Sequence, residues 1–371
     1  MKILKIIPSF YGGGGENLAV TLANKLHSEG NVVRVVSING SADCCSKYKK
    51  IINRLDNNIE VIFLEKEKGI FKFLFNVFQL LVHIVGNRYN IFHSHLSGVF
   101  LLPILIVFSR AKKIHTIHSI PQAEARGKLK YYYKLLNTLG VKFVTISEQL
   151  KKESDNYLGF TTFKVVNGIS ALPSQRYLNL KSEHNIPDDH LVLIQIGRLY
   201  NEKNQIFTLK AFEKISKIFD NKITVIFIGE DPTTDQSYFN KIECEVKKME
   251  PTIRNNVIFL GYKENVYEYL INSDIMLITS YYEGLPLVML EAAQSNVCVI
   301  STDVGGIREV LSEDNGFLFN VDDYDEFYYI FNKINEMPSI VKNKADKLNQ
   351  LFHLNFTDEV MYNNYIRLYH V

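Results

Sequence analysis

The sequence predicts an α/β protein built on two doubly wound parallel sheets, and three observations predict it. Short β-branched runs alternate with amphipathic helical stretches, the alternation occurs twice along the 371 residues, and a turn-rich polar stretch at 167–189 separates the two rounds. The second round's strands read as continuous apolar runs, as strands covered by helices on both faces require.

The first round offers strand candidates at 2–8, 32–38, 59–64, 91–96, 113–118, 143–146 and 164–166. Between the first two, Leu18, Leu22 and Leu26 recur four apart with Ala19 and Ala23 beside them, which marks one apolar helix face. Strand, glycine turn, helix and strand make a βαβ unit and hence a parallel sheet. The second round offers strands at 191–196, 223–228, 257–260, 275–279, 297–301 and 316–319, with helical stretches such as 207–219 and 238–249 between them. From about 353 onward the chain reads as helix, with Val360, Tyr365 and Leu368 among polar residues.

Composition narrows the function. Apolar residues at 46% and charged residues at 22% are those of a globular chain, which excludes disorder, a collagen-like repeat and a small disulfide scaffold. A net charge of +2 supplies no global field to hold nucleic acid. Cys44, Cys45, Cys244 and Cys298 form no C-x-x-C pair, so a zinc ribbon or dithiol site is not expected. Reduced thiols in a cytoplasmic protein are the simplest reading. The opening MKILKIIPSFYGGGG has a short, quickly broken apolar run and reads as a first strand rather than a signal peptide.

Two stretches are unusually apolar. The first, 69–86, carries Lys72, Asn76, Gln79 and His83; the second, 97–109, is short and holds Pro103. Neither suits a transmembrane span, which needs about 20 predominantly apolar residues. They read either as core helices or, for the first, as a helix lying in a membrane interface by its Phe/Leu face. The stretch 126–136, with four cations and three tyrosines, suits anionic headgroups or a solvated helix face. The sequence leaves both choices open.

Four constellations carry chemistry. YGGGGE, 11–16, follows the first strand and opens a helix, so its backbone N–H groups can approach a phosphate; it is neither a strict G-x-G-x-x-G nor a Walker A loop. IGRLYNEKN, 196–204, places Arg198 and Lys203 at the carboxyl end of a strand, where open α/β sheets bind ligands, and two cations there can clamp a diphosphate. Glu202 is the neighbouring carboxylate that would otherwise pair with them. SYYEGLPLVMLEAAQ, 280–294, brackets seven residues between Glu283 and Glu291; Pro286 suits a helix start, and a carboxylate within LVMLEAA needs a partner, which a ribose diol or an internal ion pair supplies. DVGGIREVL, 303–311, is a Gly-Gly turn expected only to shape the site. Finally, His93 and His95 share a strand face, and His115 and His118 follow, with His118 closing its strand. No carboxylate sits at ligand spacing to make these histidines a metal site.

Taken in order, Gly13-Gly14-x-Glu16, His118, Gly197-Arg198-x4-Lys203 and Glu283-x7-Glu291 resemble glycosyltransferase family 4, over nearly the whole chain. The resemblance implies a GT-B fold, two Rossmann-like domains facing across a cleft, with the last helix crossing back to the first. That gives an acceptor-binding domain at 1–170 plus 354–371 and a nucleotide-sugar-binding domain at 171–353. It implies a retaining, metal-independent enzyme without cofactor that moves a sugar from a nucleotide-sugar, UDP-linked by expectation. The acceptor would be a glycan or polyprenyl-linked molecule of a bacterial-type surface glycan, with the protein peripheral at the inner face of the cytoplasmic membrane. In this reading Gly13, Gly14, Arg198, Lys203 and Leu285 bind the donor diphosphate and Glu291 holds the ribose. Glu283 and His118 lie at the reacting centre. The alternatives are a sugar-nucleotide epimerase of the same architecture and a non-catalytic nucleotide-sugar-binding partner; a dehydrogenase lacks its dinucleotide fingerprint.

Overall fold

The computed structural model describes residues 1–10, 13–40, 51–171, 178–233 and 235–371. Tyr11 and Gly12 of the first glycine turn, Cys44 and Cys45, and 172–177 of the turn-rich stretch lie outside the described residues. The chain divides into two compact units, Met1–Ser170 with Phe356–Val371, and Ala171–Asn355.

The first unit holds a parallel seven-stranded sheet in the order β3-β2-β1-β4-β5-β6-β7. Its strands are β1 (Lys2–Ile7), β2 (Val32–Ser37), β3 (Glu60–Phe63), β4 (Ile91–His95), β5 (Lys112–Ile117), β6 (Val141–Thr145) and β7 (Phe163–Lys164). The first six fall on runs read from the sequence, where β-branched and aromatic residues favour a strand; β7 overlaps its expected run, 164–166, only at Lys164 and is exposed at the sheet edge. The helix Gly14–Ser28 buries Leu18, Leu22 and Leu26 completely or nearly so. Truncating any of these to Ala removes packed volume worth about 2–5 kcal/mol.

The order reverses direction at β1. From β1 through β3 the chain steps one way; from β3 through β6 it steps the other. Right-handed crossovers therefore place the helix Gly14–Ser28 on one face and the helices Ile70–Gly86, Leu102–Phe108 and Leu129–Thr138 on the opposite face. The final helix, Asp358–His370, packs on Gly14–Ser28 and buries Met361, Tyr365, Leu368 and Tyr369. A short bridge ties it down: Ile169 N–H donates to the Phe356 carbonyl at 3.1 Å and Asp358 N–H to the Ile169 carbonyl at 3.0 Å.

The expectation of core helices at 69–86 and 97–109 holds only in part. Val77, Leu80 and Ile84 face the sheet, but Phe71, Phe75 and Phe78 face outward. Likewise Leu101, Leu102 and Leu105 are buried while Val107 and Phe108 are exposed. These helices are apolar on two faces, and a sheet covers only one.

The second unit holds a parallel six-stranded sheet, β10-β9-β8-β11-β12-β13. Here β8 is Leu191–Ile196, β9 Ile223–Ile228, β10 Val257–Phe259, β11 Ile275–Ile278, β12 Cys298–Thr302 and β13 Phe317–Phe319. Without tryptophan, its core leans on phenylalanine: Phe207 stacks on Phe319 at 5.6 Å between ring centroids and meets Phe327 edge-on at 5.2 Å. The topological switch lies between β8 and β11, so the loops after these two strands are where a ligand would be met.

Candidate active site

The loop after β8 carries Arg198 and Lys203, and hydrogen bonds fix its path. Leu199 N–H donates to the Glu230 carbonyl at 3.0 Å, and the Gln205 side-chain amide donates to the Arg198 carbonyl at 3.0 Å. Beneath them, Gln195 Nε2 and Thr279 Oγ1 both donate to the Lys203 carbonyl, at 3.0 and 3.1 Å. Thr279 ends β11's run, so this contact joins the loops after the two switch-point strands. The backbone is thus held while the Arg198 side chain stands exposed.

Lys203 turns toward the loop after β11. Its Nζ lies 2.5 Å from Oε1 of Glu283, which is 8% exposed, and Ser280 Oγ donates to the same oxygen at 2.6 Å. The partner is therefore not the adjacent Glu202, whose carbonyl instead accepts from Tyr281 N–H at 2.9 Å. A lysine ammonium has three donors, so this contact leaves it able to hold an anion as well.

The Gly-Gly turn does more than shape the site. Gly306 N–H donates to the Glu283 carbonyl at 3.1 Å, and Gly305, at φ +54°, passes so close that a Cβ there would sit 1.7 Å from that carbonyl oxygen. Only glycine fits, both for its left-handed backbone and for the approach. Beyond Glu283, Leu285 is buried, Pro286 caps the helix Leu287–Gln294, and Glu291 sits half-buried on it. The N-terminus of that helix favours negative charge. A fixed cation, an exposed cation, a helix N-terminus and the Glu283 carboxylate thus share the carboxyl edge of the second sheet, with Glu291 one turn into that helix.

The first unit brings its own residues together at the carboxyl ends of β1, β4 and β5. Gly13 caps the helix Gly14–Ser28, and the Glu16 carboxylate folds back on it, where a Cβ would lie 2.3 Å from Glu16 Oε2. A Cβ at Gly14 would meet open space. Gly15, which the sequence reading passed over, packs on His118: a Cβ there would lie 3.2 Å from His118 Cγ.

His118 is one end of a buried polar network. Its Nε2 lies 2.9 Å from His95 Nδ1, and its backbone N–H donates to Glu124 Oε2 at 3.1 Å. Glu124 Oε1 in turn lies 3.0 Å from His115 Nε2. Burial alone would raise the Glu124 carboxyl, but the hydrogen bond from His115 and the nearby imidazoles hold it below its ordinary range. Deeper still, His93 Nδ1 lies 2.8 Å from the Tyr369 hydroxyl and His93 Nε2 lies 2.8 Å from Thr116 Oγ1. Lys5 Nζ, completely buried in β1, is 3.5 Å from His93 Nδ1. Burial pulls Lys5, His93 and His95 well below their ordinary values and pushes His118 down to about 4, so these imidazoles are neutral at pH 7.

The His95 tautomer follows from its surroundings. His95 Nε2 is buried and, among the described residues, has no hydrogen-bond partner. An orphaned buried N–H is rarer than an orphaned lone pair. His95 therefore carries its proton on Nδ1 and donates to His118 Nε2, which leaves His118 protonated on Nδ1. His118 then offers a neutral N–H donor on that nitrogen. Sequence reasoning missed Glu124, and it saw His95, Gly15, Ser280 and Gly305 only as members of their motifs, without the contacts described here. Among the described residues, no group of three or more His, Cys, Asp or Glu side chains is placed to hold a metal ion.

Known proteins resemble this chain at both levels. Residues 12–169 match the model described as Glycosyltransferase Family 4, and residues 178–351 match Glycosyl transferases group 1. The UDP-Gal:alpha-D-GlcNAc-diphosphoundecaprenol alpha-1,3-galactosyltransferase of Escherichia coli is 23% identical over 303 residues, covering 76% of each chain. An alpha-1,4-N-acetyl-D-galactosaminyltransferase of Campylobacter jejuni, named for a GalNAc-bearing diNAcBac-PP-undecaprenol acceptor, is 26% identical over 340 residues, covering 87% of this chain and 86% of its own. Among solved structures, Anabaena HepE in complex with UDP and glucose superposes with a TM-score of 0.83 at 18% identity, over 99% of both chains. That likeness establishes the fold.

Proposed function

The chain belongs to the group 1 glycosyltransferases of family 4, with the GT-B fold, and we propose that it moves a sugar from a UDP-sugar to a lipid-linked acceptor with retention of anomeric configuration. The observation that carries the reading is the Lys203–Glu283 pair beside exposed Arg198 and the N-terminus of the helix Leu287–Gln294. The departing nucleoside diphosphate develops negative charge. Fixed donors aimed at that charge lower the barrier without reorganising during the reaction.

The donor binds the second unit. Arg198 and Lys203 take the diphosphate, the N–H of Leu285 and the following helix N-terminus support it, and Glu291 accepts from the ribose hydroxyls. Lys203 and Ser280 both engage Glu283 Oε1, and we assign Oε2 to the donor sugar. In the first unit, the turn at Gly13 and Gly14 and the Nδ1–H donor of His118 are the groups assigned to ligand binding. With no second carboxylate assigned as nucleophile, retention means attack on the same face from which UDP departs, through an oxocarbenium-like state. No metal is required in this scheme, since Arg198 and Lys203 supply the countercharge.

UDP and a lipid-linked acceptor are favoured by the relatives whose names specify UDP-galactose and undecaprenol-linked sugars. An enzyme with such an acceptor works at the cytoplasmic membrane surface. Among the described residues no helix is long and apolar enough to cross a membrane.

The test is a thermal-shift screen with UDP, GDP, ADP and their sugars, where a specific ligand raises the melting temperature by mass action. Transfer to an undecaprenyl-diphosphate-linked sugar then follows, with the product's anomeric configuration read by NMR. Arg198→Ala and Glu291→Ala should abolish transfer while the protein stays folded; full transfer by both overturns the site assignment. Donor incubated alone should yield no epimer.

A further inference from the structure

We propose that the face of the first unit formed by the helices Ile70–Gly86, Leu102–Phe108 and Leu129–Thr138 is a membrane-docking surface that inserts into a bilayer rich in anionic lipid. This deepens the reading of a membrane-borne acceptor and rests on it for its purpose, though its evidence is separate.

The helix Ile70–Gly86 is the centre. Its inner face buries Val77, Leu80 and Ile84, and Asn76 Nδ2 donates to the Leu64 carbonyl at 3.1 Å. Its outer face presents Phe71, Leu74, Phe75, Phe78, Val82 and Val85, each more than half exposed and Phe71 86% exposed. The helix carries large apolar side chains on two faces, although Lys72 and Gln79 are also exposed, and an apolar helix face is ordinarily covered. The sheet covers one. Large contiguous apolar patches on soluble proteins mark interaction sites.

The patch extends beyond one helix. Leu102–Phe108 packs alongside and adds Val107, 76% exposed, and Phe108. Next to it, exposed Phe100 stacks on Tyr132 at 5.7 Å, and Tyr132 Oη donates to the Val99 carbonyl at 3.1 Å. That contact joins the Leu129–Thr138 helix, whose Tyr131 and Leu135 are also exposed. All three helices lie on the same side of the sheet, as its handedness requires.

Charge identifies the occupant. Residues 69–143 contain ten lysines and arginines and a single acidic residue, Glu124. Glu124 is turned inward onto His115 and the His118 backbone. Some of the cations are engaged: Lys112 and Lys113 donate to backbone carbonyls, Lys72 lies 3.6 Å from Glu65, and Lys130 lies over Tyr131. Arg110, Arg126, Lys128 and Lys134 stand exposed on the same stretch of chain. Exposed apolar side chains on a segment so rich in cations match a surface of acyl chains beneath anionic headgroups. A second copy of the same basic surface would be repelled.

The experiment is flotation of the full chain with phosphatidylglycerol–phosphatidylcholine vesicles and with pure phosphatidylcholine vesicles. The protein should float with the anionic vesicles, bind pure phosphatidylcholine far more weakly, and release as salt rises. The variant Phe71→Ser/Phe75→Ser/Phe78→Ser should bind at least ~10-fold more weakly, with its melting curve and UDP binding unchanged. Lys128→Glu/Lys134→Glu should lose the preference for anionic vesicles. Equal vesicle binding by the triple-serine variant and the unaltered chain, or no binding by the unaltered chain, overturns the proposal. So does a lipid-free dimer that the triple-serine variant turns into a monomer. Transfer in detergent micelles by a protein that ignores vesicles would sink this inference alone; vesicle binding without transfer would sink the functional reading alone.

Discussion

His95 Nδ1 and His118 Nε2 lie 2.9 Å apart, and the burial of His95 fixes which of the two gives the proton. His95 thereby sets the face that His118 shows to a ligand, although it is itself fully buried. His95→Leu should lower kcat by about 10- to 100-fold, the size of effect seen when an outer partner of a functional side chain is lost. KM for the donor should hardly move. His95→Asn, whose amide can donate to His118, should recover part of the rate. If His95→Leu and His95→Asn fall equally, orientation through that hydrogen bond is refuted.

The ion pair at the other site yields a coupling. Lys203→Met leaves Glu283 without its cation, and Glu283→Gln leaves Lys203 without its anion, each in a partly buried setting. The double variant should be more stable than the sum of the single losses implies, with a coupling of about 0.5–3 kcal/mol from urea melts. In binding, Lys203→Met should weaken UDP markedly, whereas Glu283→Gln should keep UDP and lose transfer. Retained UDP affinity in Lys203→Met would remove Lys203 from the diphosphate site.

Gly305→Ala asks for a left-handed alanine whose Cβ collides with the Glu283 carbonyl. The backbone cost alone is about 1–2 kcal/mol, and relief of the clash must displace Glu283. A lower melting temperature and a larger loss of kcat than of donor affinity are expected; wild-type kinetics would show that the turn does not position Glu283.

Protonation should unfold the first unit from the acid side. His118 has its folded value near 4 against an ordinary 6.5, and His93 and His95 are lowered as well. Between those values the unfolded chain binds protons that the folded one refuses. The histidines' contribution to stability is thus fully present above about pH 6.5 and falls as pH drops, by up to about 1.4 kcal/mol per unit for each histidine. Lys5, also lowered by burial, acts in the same direction at higher pH. Urea midpoints between pH 7.5 and 5 measure this, and His93→Phe should flatten the slope. A midpoint independent of pH over that range would contradict the neutral, buried assignment.

Local pattern revealed the strands and the Leu18–Leu22–Leu26 face because burial on a sheet is written into neighbouring residues. Partnerships across long separations were not. Lys203 and Glu283 are 80 residues apart, and the obvious carboxylate, Glu202, was the wrong one. His93 and Tyr369 are 276 apart, and nothing near either announces the other. Gly305 looked like an ordinary turn because its neighbour, the Glu283 carbonyl, comes from another loop. The exposed face of Ile70–Gly86 was ambiguous for a different reason: an apolar helix reads the same whether protein or lipid covers it.

The final helix has a consequence for synthesis. Tyr365 and Tyr369 complete the polar network around His93 and Thr116, and Lys112 donates to the carbonyls of Tyr369 and His370. A ribosome making this chain delivers β1 through β7 early, yet the tyrosines that seal them emerge only after the entire second unit. The earlier-made half must wait, incompletely packed and with a greasy flank showing, until residue 370 leaves the exit tunnel.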